Sequence, residues 1–198
     1  APELVIFKNR STAASWATFG YPNNPAFPND GSVLLLDQTS VMSNSTSKEV
    51  SIGSSTITLV DAGGDIGTNG DNYIAYAFHS VDGYSKVGSY TGNGSADGPF
   101  VHLGFKAKFI IIKEAVTGTG NGEWKIFDTA RSPTNVVNDL LSAKSSSAEQ
   151  VDNTYQMLDI LSNGFKLRSP SLASQINYTT TYIYLAFAEN PFKHTNAR

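Results

Sequence analysis

The sequence predicts an all-β fold, an antiparallel β-sandwich made of two tandem similar units, and three observations carry that prediction. Apolar residues come in short runs separated by Gly, Ser, Thr and Asn, which is the spacing of strands and turns rather than of helices. Charged residues make up 16% of the chain, below the roughly 25% usual for soluble domains, while nine Tyr, eleven Phe and two Trp supply rings to pack. Finally, the chain repeats itself. Trp16 returns as Trp124, Ser55-Thr-Ile-Thr-Leu59 as Asn163-Gly-Phe-Lys-Leu167, and Asp71-Asn-Tyr-Ile-Ala-Tyr-Ala-Phe78 as Thr180-Thr-Tyr-Ile-Tyr-Leu-Ala-Phe187, at a spacing constant to within one residue.

The repeat divides the chain into a first unit over residues 1–82 and a second over 83–198. Nothing before Ala1 answers to Tyr84–Phe105 of the second unit, so the first unit is expected to be incomplete at its start.

In chain order, Leu4-Val-Ile-Phe7 reads as a short buried strand and Ala13 to Phe19 continues the sheet, with Trp16 as a core or interface ring. Gly20 to Gly31 holds three prolines and is a loop; Ser32 to Leu36 is a strand. Over Glu49 to Leu59 the inward positions are Val50, Ile52, Ile57 and Leu59, interrupted at Gly53-Ser-Ser55. The glycine-rich stretch from Asp61 to Asn72 is a turn; Asp61, Asp65 and Asp71 form a candidate surface cation cluster, but the spacing does not fit an EF-hand loop. Tyr73, Ala75 and Ala77 share one face of the next strand and Ile74, Tyr76 and Phe78 the other, so both faces are apolar. Such a strand is expected to lie centrally or under a neighbour, since exposure would invite association.

His79 to Gly83 joins the units. Tyr84 to Tyr90, Phe100 to Phe105, Phe109 to Lys113 and Trp124 to Asp128 are the next strands, with sharp turns at the glycines of Thr91 to Phe100. Arg131 stands three residues after Asp128, placed for a local ion pair. Ser145 to Asp152 reads as a loop or a single helical turn. Ser162-Asn-Gly164 is a turn before the strand Phe165 to Arg168, and Ser171 to Thr180 is a polar connection.

The net charge of −3 is spread without a basic block, so no nucleic-acid footprint is present, and no apolar run has the length of a membrane-spanning helix. There is no cysteine, hence no disulfide and no thiolate site. His79, His102 and His194 show no metal-ligand spacing, and no nucleophile elbow, P-loop or other cofactor-binding pattern occurs. The sequence therefore assigns no catalytic, metal or cofactor residue. Asp61, Asp65, Glu123 and Asp128 are acids without a pattern that pairs them. What remains is aromatic residues beside amides in turn-rich stretches: Tyr21 and Phe27 near Asn23 and Asn24, and Tyr90 near Asn93. Ring faces with neighbouring amides suit saccharide contact and equally suit a subunit interface. Tyr21, Phe27, Tyr90 and Asn93 are the candidate surface-recognition residues.

The segment Tyr73–Phe78 running through Gly83-Tyr-Ser-Lys-Val-Gly-Ser-Tyr-Thr-Gly-Asn-Gly94, with Trp124–Arg131, Leu161–Arg168 and Tyr182–Lys193, closely resembles a β-rich repeat domain of tailed-phage virion proteins. These are tail-fibre or lectin-like appendage proteins, common in phages of marine bacteria. The resemblance extends from Leu4 to Lys193 and implies a non-enzymatic β-sandwich part of a virion. The implied partners are other virion proteins, host-surface carbohydrate or protein, and further copies of itself, for which a trimer is the expected homo-oligomer. The alternatives are a head decoration or collar protein of purely architectural role, and a depolymerase of host polysaccharide.

Overall fold

Because side chains alternate across a strand, apolar runs like those of this chain have two faces to cover, and antiparallel sheets stacked in layers do so. The computed structural model describes residues 1–20, 27, 31–44, 48–53, 55–61, 66–116, 122–151, 157–169 and 176–190. Its strands are β1 (Leu4–Asn9), β2 (Ala17–Gly20), β3 (Ser32–Leu35), β4 (Ser43–Asn44), β5 (Lys48–Ile52), β6 (Ile57–Asp61), β7 (Tyr73–Phe78), β8 (Ser85–Thr91), β9 (Phe100–His102), β10 (Ala107–Glu114), β11 (Lys125–Asp128), β12 (Leu141–Ser142), β13 (Leu158–Leu161), β14 (Gly164–Leu167) and β15 (Thr181–Ala188). One five-stranded sheet has the order β4-β3-β2-β1-β7 and another β12-β11-β10-β15-β8, beside a three-stranded sheet β13-β14-β9 and the pair β5-β6. The fold is all-β, with open antiparallel sheets. Residues 145–151 contain no helical turn.

Three apolar cores separate the sheets. Val5, Phe7, Ala17, Phe19 and Val33 of the first large sheet meet Val50 and Ile52 of the β5-β6 pair. Ile110, Ile112, Phe127, Tyr182 and Tyr184 of the second large sheet meet Val101, Leu158, Ile160, Phe165 and Leu167 of the three-stranded sheet. Between the large sheets, Leu4 and Leu34 pack with Val87, Ile111, Trp124, Ile183 and Leu185. The pleat explains the sorting: Ile110 and Ile112 go to one core and Ile111 to another, as Val5 and Phe7 go to one and Leu4 to another.

The sheet orders follow the sequence repeat. β3-β2-β1-β7 corresponds to β12-β11-β10-β15, and β5-β6 to β13-β14. The second unit then adds β8 beside β15 and β9 beside β14, strands with no counterpart among the described residues of the first unit.

Polar ties cross the middle core. The Trp124 indole N–H donates to Leu35 O at 2.9 Å, and the buried Lys113 ammonium donates to Ser40 O at 2.7 Å and to Gly122 O. The expected turn pair also forms: Arg131 Nε lies 2.5 Å from Asp128 Oδ2, and the same guanidinium reaches Glu149 Oε1 at 2.7 Å. Burial brings the Lys113 ammonium from 10.5 down to about 8, although Glu114 and Glu123 favour its charge. An amine with a lowered folded pKa binds fewer protons folded than unfolded over that interval, so stability rises with pH from about 8 toward 10.5. Burial does the opposite to phenols, pushing Tyr184 up to about 12 and raising Tyr182 as well, so stability falls above their unfolded value of 10.0. Thermal unfolding at constant ionic strength should therefore show a melting temperature that climbs above pH 8 and drops beyond pH 10. Lys113→Met should reduce the climb, to which the buried Lys125 also contributes, and leave the drop.

Candidate interaction surface

Tyr73-Ile-Ala-Tyr-Ala-Phe78 and Tyr182-Ile-Tyr-Leu-Ala-Phe187 are near copies placed in different surroundings. β15 lies between β10 and β8, and Ile183 and Leu185 are 1% and 4% exposed. Among the described residues β7 pairs with β1 alone and ends its sheet, and Ile74 and Tyr76 are 38% and 44% exposed. The expectation of a central or covered strand holds for β15 and is corrected for β7, which has no counterpart of β8 beside it among the described residues. The hydrogen-bond phase follows from the Arg10 N–H, which donates to Asn72 O at 2.8 Å. In an antiparallel ladder bonded pairs recur every second residue, so Ile74, Tyr76 and Phe78 bond toward β1, and the backbone groups of Tyr73, Ala75 and Ala77 point outward. β7 carries neither charge, proline nor bulge, the devices that ordinarily blunt a free edge.

Aromatic surface extends from this strand. Half-buried Trp16, just before β2, stacks on Tyr76 with ring centroids 6.2 Å apart at 27°, and Lys8 Nζ lies 5.9 Å from the Trp16 ring centroid. Trp16 is thus a surface platform, whereas its counterpart Trp124 is 1% exposed in the middle core. Ile74 continues the patch along β7 toward solvent. Ring faces, an aliphatic side chain and a cation at one sheet edge suit a polypeptide or a sugar ring.

The sequence-predicted recognition residues are not brought together as a surface. Tyr21 lies outside the described residues. Phe27 is corrected: it is 1% exposed in the middle core, its ring filling the space left by Gly20, where a Cβ would lie 2.1 Å from it. Tyr90 is corrected too. It stacks on Tyr182 at 5.0 Å, meets Phe165 edge-on, and donates its hydroxyl to Ile176 O at 2.7 Å, and burial followed by proximity to Tyr182 raises its pKa well above the ordinary value. Asn93 is exposed, but its amide donates to Asp97 O and accepts from Ser95 N–H, folding the glycine loop on itself. Of the candidate cation cluster, Asp65 and the side chain of Asp61 lie outside the described residues, while Asp71 accepts a hydrogen bond from Asn9 at 2.7 Å.

A polar cleft of about 300 Å³ lies between Glu123, Leu140, Ser142, Ser145 and Glu149. Its carboxylates are engaged, Glu123 by Lys144 at 2.8 Å and Glu149 by Arg131. Burial raises the Glu123 pKa, but its pairing with Lys144 and the nearby lysine charges outweigh it, and the net shift is downward. A general acid for glycoside cleavage needs the opposite shift.

The glycine loop after β8 is docked inward. The buried Asn177 amide donates to Ser169 O at 2.9 Å and Ser95 O at 2.8 Å and accepts from the Asn93 N–H at 3.0 Å. A side chain is excluded at Gly92, where a Cβ would stand 2.1 Å from Tyr178 O. The Asn177-Tyr-Thr179 glycosylation pattern is accordingly closed in the folded protein. Asn177→Ala removes the donor to the buried Ser169 O and to Ser95 O and the acceptor of the Asn93 N–H, and should cost about 2 kcal/mol, read as a lowered urea midpoint with an unchanged slope.

Sequence reasoning placed recognition in the loops and missed Ile74 and Tyr76. The local pattern does not separate the two strands, since β7 and β15 nearly repeat each other in sequence. No curated protein and no solved structure matches the chain. The family described as a domain of unknown function (DUF7483) matches over residues 1–191, and the chain belongs to that family.

Proposed function

We propose that this protein is a non-enzymatic structural component of a tailed-phage virion, of tail-fibre or adhesin type. Its two units are tandem β-sandwiches, and it works as a homo-oligomer among other virion proteins. The observation that carries the reading is β7, apolar and exposed in the first unit although its counterpart β15 is buried in the second. A protein with such a strand gains by burying it against a neighbour, as components of an assembly do. The resemblance of the repeat to appendage domains supplies the virion setting.

A second reading is host recognition, and the Trp16–Tyr76 pair favours it: an aromatic platform with Lys8 beside it suits a saccharide face of the host surface. The two readings separate in particles carrying substitutions. Ile74→Lys with Tyr76→Lys should leave the circular dichroism spectrum in place and lower incorporation into particles at least tenfold. If incorporation is normal and only adsorption to cells falls, β7 serves recognition. Normal incorporation with normal adsorption removes β7 from both roles.

A further inference from the structure

The second unit shows what covers the edges that the described residues of the first unit leave open. β8 and β9 belong to one continuous segment, Gly83–Phe105, which turns through the glycine loop and reaches both layers: β8 pairs with β15 and β9 with β14. The ladder phase identifies the bonded residues. The Gly92 N–H donates to Thr180 O and the Ala188 N–H to Tyr84 O, so Tyr182, Tyr184 and Ala186 exchange bonds with β8. The Leu167 N–H donates to Pro99 O, so Leu167 and Phe165 bond toward β9. The repeat carries these positions to Tyr73, Ala75 and Ala77 on β7 and to Ile57 and Leu59 on β6. On β7 these are the outward-pointing groups. On β6 the Gly53 N–H donates to Thr56 O, a phase that turns Ile57 and Leu59 away from β5. Burial agrees: Phe165 and Leu167 are fully buried, Ile57 and Leu59 only partly.

We propose that the first unit docks a polypeptide segment built like Gly83–Phe105, whose leading strand adds antiparallel to β7 and whose second strand adds to β6. This rests on the reading of β7 as an assembly surface and names its occupant. The register follows from β8: the residue in the place of Tyr90 faces Tyr73, that of Gly88 faces Ala75, and that of Lys86 faces Ala77. An aromatic residue in the Tyr90 position would fill the space above Ile57 and Leu59, as Tyr90 does against Phe165. Two differences make the site its own. Gly88 is required in the second unit because a Cβ there would meet the Tyr184 hydroxyl at 2.5 Å; Ala75 removes that obstacle, so the docked strand has room for a side chain. Thr56 stands where Gly164 lets Val101 O approach, so the second strand stops short of Thr56 and pairs over Ile57–Leu59. Self-coverage does not occur at the far edge of β8: there the Ser80 hydroxyl accepts from the Val87 N–H at 3.0 Å, and Val81 bridges Ser85.

The test adds a synthetic peptide reproducing Gly83–Phe105 to the full chain and follows amide hydrogen exchange by residue. Docking predicts one peptide per chain and slowed exchange at Tyr73, Ala75, Ala77, Ile57 and Leu59, with Tyr182, Tyr184 and Ala186 unchanged. Ala75→Pro removes an outward N–H and no bond to β1, and should weaken peptide binding at least tenfold while thermal unfolding is retained. Should Ala75→Pro lose its own fold, Ala75→N-methylalanine introduced by ligation makes the same deletion without the ring. Binding undiminished by either change overturns the proposal. So does protection at β15, which means exchange with β8, or protection of β7 that grows with protein concentration without peptide, which means a second copy pairs there. Failure here with particle incorporation still abolished by Ile74→Lys and Tyr76→Lys rejects the occupant and keeps the assembly reading. Peptide docking with normal incorporation rejects the assembly reading alone.

Discussion

A strand bonded on one side presents a row of N–H and C=O groups on the other, and the arrangement of this protein depends on where those rows end. In the second unit the row on β15 ends on β8, and the far edge of β8 ends on the hydroxyl of Ser80, itself held by Glu3. In the first unit the row on β7 meets no strand among the described residues. Two strands of nearly the same sequence therefore differ in burial because of their neighbours, not their residues.

Coverage of the side-chain faces follows the same division. The middle core draws Leu4 and Leu34 from one unit and Ile111, Trp124, Ile183 and Leu185 from the other, so each large sheet is buried partly by its repeat partner. Trp124 and Lys113 add hydrogen bonds across that boundary, to Leu35 and Ser40. Trp16, the repeat partner of Trp124, lies on Tyr76 instead. The patch at Trp16, Ile74 and Tyr76 lies beside a strand, β7, that is flanked on one side only among the described residues.

This changes where a binding role is sought. Loops rich in glycine and amide residues look like recognition loops, but the stretch after β8 serves as an inner strut. Asn177 is buried beneath it, Gly92 and Gly98 permit close backbone approach, and Asn93 closes a local turn. The exposed patch at Ile74 and Tyr76 belongs to a strand edge, where backbone groups offer affinity and alternate side chains offer selection.

Much of the architecture was legible in the sequence. Alternation and turn residues determined the β class, the repeat of Trp16, Leu59 and Phe78 determined that strands would recur in the same order, and the spacing of Asp128 and Arg131 determined their ion pair. These are local or periodic properties, written in neighbouring residues. The fates of Phe27 and Tyr90, and of β7 against β15, were decided only by the tertiary structure. Whether a ring is buried depends on what packs over it, as Gly20 makes room for Phe27 and Tyr182 with Phe165 encloses Tyr90. Periodicity states that a strand has two apolar faces; the number of strands beside it is a property of the assembled sheet, and that number is what leaves Ile74 and Tyr76 exposed.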